Sequence, residues 1–241
     1  MNVLTICAHP DDAEILCGGT LARYAESGAH VTIAIATNGE VGSSTLPKTE
    51  IADIRRAEAL EAAAVIGAEL IWMGFRDEFL FDTEETRLAF IDAMRRSQAD
   101  VVLTHWPDDL YNPDHTVTGR IANDVAIMTT VPNIVTPHPP INRIPVVYFM
   151  DSMAGIGFQP EEYVDITHMF EKKRRMLSAH ASQTGSWLKD QYDSSALEMI
   201  EIWSRFRGLQ CGVRYAEGFV RAKAYPRNAA GSLLPHGIAS R

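Results

Sequence analysis

Cysteine is scarce in this chain: three in 241 residues, Cys7, Cys17 and Cys211, with no Cys-x-x-Cys pair among them. That excludes a disulfide framework and leaves reduced thiols in or near the core as the expectation. Long apolar runs are missing as well, and none approaches the roughly 18 residues of a membrane span. Met1-Asn2-Val3-Leu4-Thr5 enters a strand-like run with no basic signal head, so a cytoplasmic protein with no membrane partner is expected. Basic residues are in deficit, 22 Lys and Arg against 31 Asp and Glu, for a net charge of −9. Such a balance repels polyphosphates and argues against nucleic acid as a partner. Repeats and low-complexity tracts are absent too. What remains is ordinary for a folded chain, 46% hydrophobic and 22% charged, with length for one large α/β domain and an appendage.

Short β-branched runs alternate with helical periodicity over the first 150 residues, which predicts an α/β fold: a doubly wound, Rossmann-like, mainly parallel sheet. Val3–Ala8, Val31–Ala36, Glu69–Trp72 and Val101–Thr104 are the expected first four strands. Ile51, Ile54, Ala57, Leu60, Ala64 and Val65 recur at helical steps, with Thr49 as cap and Gly67 as stop; Asp82 and Glu85 open a second helix. Five prolines between Val131 and Pro145 exclude helix there and predict a loop over the sheet. Val146–Met150 is a further strand, Thr167–Arg207 holds two or three helices, and Tyr215–Ala224 closes a C-terminal helical and β addition. A single domain over residues 1–225 with an arm or disordered tail at 226–241 follows.

Two dense groups of imidazoles and carboxylates stand at strand ends. Ala8-His9-Pro10-Asp11-Asp12-Ala13-Glu14 follows the first strand, and His105-Trp106-Pro107-Asp108-Asp109-Leu110-Tyr111-Asn112-Pro113-Asp114-His115 follows the fourth. His9 and Asp12 lie three apart in a turn stiffened by Pro10 and can face one point, while Asp11 points elsewhere; His115 is able to complete the set. In a sheet of order 3-2-1-4 the first and fourth strands are neighbours, and the crevice between their carboxyl ends is where open α/β sheets do chemistry. Two imidazoles and a carboxylate suit zinc, the expected metal, and equally ferrous iron or another divalent ion. Gly18-Gly19 is no dinucleotide loop: Gly-x-Gly-x-x-Gly is absent, and Asp11-Asp12 repels a pyrophosphate.

At Ala8-His9-Pro10-Asp11-Asp12 and Pro113-Asp114-His115 the sequence resembles the PIG-L, or LmbE-like, family of metal-dependent de-N-acetylases. The resemblance continues through Gly18-Gly19-Thr20, Arg55-x-x-Glu58, Gly74-Phe75-Arg76-Asp77, His180-x-Ser182-Gln183 and Ala216-Glu217-Gly218-Phe219. It implies that His9, Asp12 and His115 bind the metal, that Asp11 is the general base, and that Asp114 and Asn112 belong to the catalytic group. It also implies substrate contacts from Arg55, Asp77 and His180, and hydrolysis of an acetamide on a small N-acetylated amino sugar or its conjugate by a homo-oligomer. One departure stands out. Many relatives carry His-Pro-Asp-His where this chain has Asn112-Pro113-Asp114-His115. Asn112 can donate a hydrogen bond to an oxyanion but is no acid, so His105, His138 or His180 is expected to substitute.

The same site could instead deliver water to a carbon–carbon double bond of an unsaturated carboxylate, a hydratase reading that the loss of the imidazole at 112 favours. A non-catalytic scaffold is a further reading, which the intact Asp11 opposes. Trp187, Trp203, Phe206 and Tyr215 are expected in the core or at a subunit interface, and Lys172-Lys173-Arg174-Arg175 is expected to be a solvated helix face.

Overall fold

The computed structural model describes residues 1–185, 189 and 192–225; Trp187 and the predicted tail at 226–241 lie outside them. Among the described residues seven strands form one sheet: β1 (Asn2–Cys7), β2 (His30–Thr37), β3 (Glu69–Phe75), β4 (Val101–Thr104), β5 (Val146–Met150), β6 (Glu162–Asp165) and β7 (Ala216–Arg221). Their order is β3-β2-β1-β4-β5-β7-β6. The five strands β1 to β5 pair in parallel, and β7 runs antiparallel to both β5 and β6. The predicted order 3-2-1-4 is thus present, with a C-terminal β addition on the β5 side. β6 was not foreseen, because Glu-Tyr-Val-Asp at a sheet edge has no apolar run to betray it.

Helices cover both faces: α1 (Asp12–Leu16), α2 (Gly18–Glu26), α3 (Lys48–Ala64), α4 (Glu84–Arg96), α5 (Pro113–Val125), α6 (Phe170–Ser178), α7 (Ala181–Thr184) and α8 (Ala196–Cys211). Alternation along the strands divides the core in two. Leu4, Ile6, Val102, Val147 and Phe149 meet Phe90, Met94, Ile121 and Val125 of α4 and α5. Val3, Cys7, Leu103 and Met150 meet Leu21, Ala59, Met176 and Ile200 of α2, α3, α6 and α8. No helix among the described residues is long and apolar enough to cross a membrane.

Local expectations need small corrections. The third helix starts at Lys48 behind Pro47, leaving Thr49 inside its first turn. The cap of α4 is Thr83, paired with Thr86 in a capping box, while Asp82 turns aside to accept from Arg87. The proline-rich loop is irregular as expected, but it lies against α4, where buried Arg95 donates to the carbonyls of Thr129, Ile134 and Val131 at 2.7–3.0 Å. Cys7 and Cys17 are buried; Cys211 is exposed.

Within the basic run, Lys173 is buried, against expectation. Its ammonium donates to Glu217 at 2.6 Å and to the Ile15 carbonyl at 2.8 Å. Glu217 also accepts from the backbone amides of Gly19 and Thr20 at 2.9 and 2.7 Å. A built-in carboxylate therefore occupies the N-terminus of α2, the place a pyrophosphate would need, and ties β7 to the element behind the site. Glu217→Ala strands a buried ammonium and two amides, and should lower stability in urea by about 3–5 kcal/mol; a loss under about 1 kcal/mol would contradict this role.

Candidate metal centre

The carboxyl ends of β1, β3 and β4 and the start of α5 converge on one cavity of about 290 Å³. α5 begins as its sequence dictates. Asn112 is the N-cap, its side-chain oxygen accepting from the Asp114 amide at 2.7 Å, and Pro113 occupies the first helical position, which lacks a partner for an N–H in any case. That start places His115 in the first turn, facing β1.

Ligand atoms of three residues face one another there. His9 Nδ1 lies 3.3 Å from His115 Nε2 and 3.4 Å from Asp12 Oδ2, and His115 Nε2 lies 3.3 Å from Asp12 Oδ1. The two Asp12 contacts end on different oxygens, and one ligand atom from each of the three residues lies within 4.8 Å of the others, a spacing that a divalent ion can bridge. All three residues are buried. Carboxylates stand near the far ring nitrogens: His9 Nε2 is 3.3 Å from Asp77 and 3.5 Å from Asp114, and His115 Nδ1 is 3.7 Å from Asp109, a setting that suits an N–H on that side and a lone pair on the near one. A second grouping, His9 with Asp77 and Glu78, includes an exposed carboxylate and shares the same imidazole. The carboxylates flanking Nε2 suit an N–H there, which favours the first set.

Asp12 organises the turn. Its Oδ2 accepts from the His9 amide at 2.7 Å and lies 3.1 Å from His105 Nε2. Burial raises its pKa, but His115 and His105 outweigh that and hold it well below the usual carboxylate range. Asp11, one residue earlier, has φ 116°, a strained conformation for a side-chain-bearing residue that only a rigid surrounding maintains. Burial pushes its carboxyl up to about 6 against the pull of Arg55.

Arg55 straps this turn to the neighbouring loop. It donates to the Pro10 carbonyl at 2.6 Å and the Gly39 carbonyl at 3.2 Å, and its Nη2 is 3.5 Å from Asp11. A Cβ at Gly39 or Gly42 would meet Arg55 at 2.8 or 2.5 Å, so those glycines make room for the guanidinium. Glu58, one turn along α3, accepts from the amide and hydroxyl of Ser182 at 2.7 and 2.6 Å, and Gln183 donates to the Gly42 carbonyl at 3.0 Å. The Arg-x-x-Glu and His-x-Ser-Gln motifs are thus the two sides of one clasp.

His9, Asp11, Asp12, Arg55, Asp77, Asn112 and His115 all line the cavity. Two expected site residues do not. Asp114 is buried behind the cavity wall, accepting from the Glu78 and Leu80 amides at 2.8 and 3.1 Å and lying 3.5 Å from His9 Nε2, so it fixes the loop after β3. His180 is fully buried, 3.4 Å from Glu14, and has no surface to offer a ligand. None of the three histidines expected to replace an imidazole at 112 does so. His105 is fully buried and stacked on His115 at 4.0 Å, and burial, with His115 beside it, lowers its pKa to about 4. His138 pairs with Asp92, outside the cavity. The titratable group next to Asn112 is instead Glu78, which accepts from Asn112 Nδ2 at 2.9 Å. Glu78 and Tyr192 line the cavity with no signal in the sequence reading, while Tyr111 and Gln183 stood there only as members of motifs and Trp203 only as core or interface.

The PIG-L family model, described as GlcNAc-PI de-N-acetylase, matches residues 4–126. The chain belongs to the PIG-L family. Among its relatives is a 4-oxalmesaconate hydratase of Pseudomonas putida, 27% identical over 94% of this chain and 90% of that protein. A diacetylchitobiose deacetylase of Thermococcus kodakarensis is 29% identical over 90% of this chain and 81% of its own. The crystal structure of N,N'-diacetylchitobiose deacetylase from Pyrococcus horikoshii superposes with a TM-score of 0.80 at 29% identity, covering 91% of this chain and 83% of that one.

Because the Asp77 carboxylate lies 3.3 Å from His9 Nε2, Asp77→Asn should weaken divalent-metal affinity about 10–100-fold in competition with a chromophoric chelator. Unchanged affinity would remove Asp77 from that role.

Proposed function

We propose that this chain is a zinc-dependent hydrolase that removes the acetyl group from the nitrogen of an N-acetylated amino sugar or its conjugate. The observation that carries the reading is the buried His9–Asp12–His115 cluster, whose contacts are 3.3–3.4 Å, with a second carboxylate, Asp11, beside it in the same cavity. Zinc in that cluster would acidify a water and polarise the amide carbonyl. Asp11 takes the proton from the attacking water and returns it to the departing nitrogen. Its carboxyl, raised to about 6, is close enough to neutrality for both transfers. Arg55 keeps Asp11 aimed, and the second Asn112 amide hydrogen, not given to Glu78, is free to meet a substrate oxygen. Asp77 and Glu78 offer acceptors for sugar hydroxyls at the cavity wall.

Charge separates this reading from its rival. Asp11, Asp12, Asp77 and Glu78 face the cavity against one guanidinium, Arg55, among the described lining residues. Even with a bound dication such a cavity repels a polycarboxylate and favours an amine that gains a proton as it leaves. The hydratase reading retains two supports, the Pseudomonas relative and the asparagine at 112. Acetate decides between them, since hydration of a double bond releases none. We further assign the work to a homo-oligomer in the cytoplasm. Ile202, Phe206 and Leu209 lie exposed along one face of α8, and Cys7 and Cys17 are free thiols.

Acetate release from N-acetylated amino sugars should require metal, and Asp11→Asn, which keeps shape and tolerates the left-handed backbone, should lower kcat by about 10²–10⁴ with metal content unchanged. Turnover of an unsaturated carboxylate without acetate would favour the hydratase.

A further inference from the structure

The loop after β3 and the start of α5 are joined by a ring of three hydrogen bonds in which each residue donates to the next. The Asp114 amide donates to Asn112 Oδ1 at 2.7 Å, Asn112 Nδ2 donates to Glu78 Oε1 at 2.9 Å, and the Glu78 amide donates to Asp114 Oδ2 at 2.8 Å. Glu78 meets both partners through a left-handed backbone, φ 64°, a costly conformation for a residue that carries a side chain. Two of the three bonds have a structural task. Asn112 Oδ1 caps α5, and the Glu78 and Leu80 amides on Asp114 hold the loop. The bond from the Asn112 nitrogen to the Glu78 carboxylate serves neither, and both side chains line the metal cavity.

A side-chain amide has two ends of opposite polarity. With its oxygen on the Asp114 amide and one N–H on a carboxylate, Asn112 has a single favourable orientation; turned over, it would set oxygen against carboxylate and NH₂ against N–H. Its second N–H has no acceptor among the described residues. We infer that Glu78 is a positioning residue: it locks the Asn112 amide so that this second N–H is the fixed donor to the carbonyl oxygen of the substrate amide under attack. The inference rests on the hydrolase reading above and deepens it. A neutral donor, aimed by a carboxylate on another loop, then stands where many relatives carry an imidazole. A donor held in place before charge develops on that oxygen needs no reorganisation when it does, which is the source of the strength of such contacts.

The test joins kinetics and NMR on the zinc-loaded protein, with metal content and melting temperature as checks on folding. Asn112→Ser keeps an oxygen for the cap and removes the amide donor, so kcat for acetate release from N-acetylglucosamine should fall about 10²–10³-fold. Glu78→Ala should lower kcat about tenfold or more in the wild-type background, but by no more than about twofold in Asn112→Ser, because it acts through the amide. Glu78→Gln, which still offers an acceptor, should recover most of the loss. Additive losses, an effect of Glu78→Ala confined to KM, or a Glu78→Gln as poor as Glu78→Ala would overturn the proposal. The lock is also read without turnover. The Asn112 side-chain NH₂ signals, assigned by their disappearance in Asn112→Ser, should exchange slowly with water in wild type and Glu78→Gln and shift to free-amide positions in Glu78→Ala. Identical signals in all three would reject the lock. Should no amino sugar release acetate, the hydrolase reading fails on its own, and these signals alone uphold or reject the lock.

Discussion

Asp12 is the group on which the rest of the site depends. Its carboxylate is 3% exposed, yet it stays ionised among His9, His105 and His115, and it closes the turn after β1 through the His9 amide. A buried anion needs a compensating cation, and two imidazole nitrogens lie 3.3 Å apart beside it, able to offer lone pairs to one ion. Asp77, Asp109 and Asp114 behind those imidazoles are buried as well. So many acids around three rings form a stable arrangement once a dication stands at their centre, and in the proposed reaction the same ion would activate the attacking water.

The scaffold supplies this concentration of charge at the one place it can be tolerated. Parallel strands β1, β3 and β4 deliver His9, Asp77 and His105 from their carboxyl ends, and the N-terminus of α5, with its positive dipole end, takes Asp114 and the Asn112 cap. The strained Asp11 backbone is held from outside by Arg55, whose place is cleared by Gly39 and Gly42. On the far side, Glu217 does for α2 what a bound anion would do, so the fold keeps a dinucleotide-like frame and closes the dinucleotide site from within.

Most of this was legible in the residues. Short β-branched runs between helical stretches placed β1, β2, β4 and β5, and strand order brought the His9 and His115 segments together, because topology depends on pattern, which a sequence displays. Depth was not legible. Lys173 sits on an amphipathic helix, whose periodicity tells which side a residue faces and not how much chain lies above it, and His180 in the break between α6 and α7, so a solvated lysine proved a buried partner of Glu217 and a rim histidine proved buried. Residues fixed by turns were missed for a related reason. Glu78 reaches the cavity through a left-handed backbone, φ 64°, and Tyr111 through a loop, and neither leaves a periodic trace. The loss of an imidazole at 112 was visible, but its consequence was not: the asparagine caps α5 and ties itself to Glu78.

The most direct measurement is X-ray absorption at the zinc edge on the purified, zinc-loaded protein, wild type and His115→Ala. The account predicts one equivalent of zinc with two imidazole nitrogens and oxygen ligands at about 2.0–2.2 Å, and the loss of one imidazole shell in the variant. Less than stoichiometric zinc after loading, or a coordination shell indifferent to His115, would contradict it.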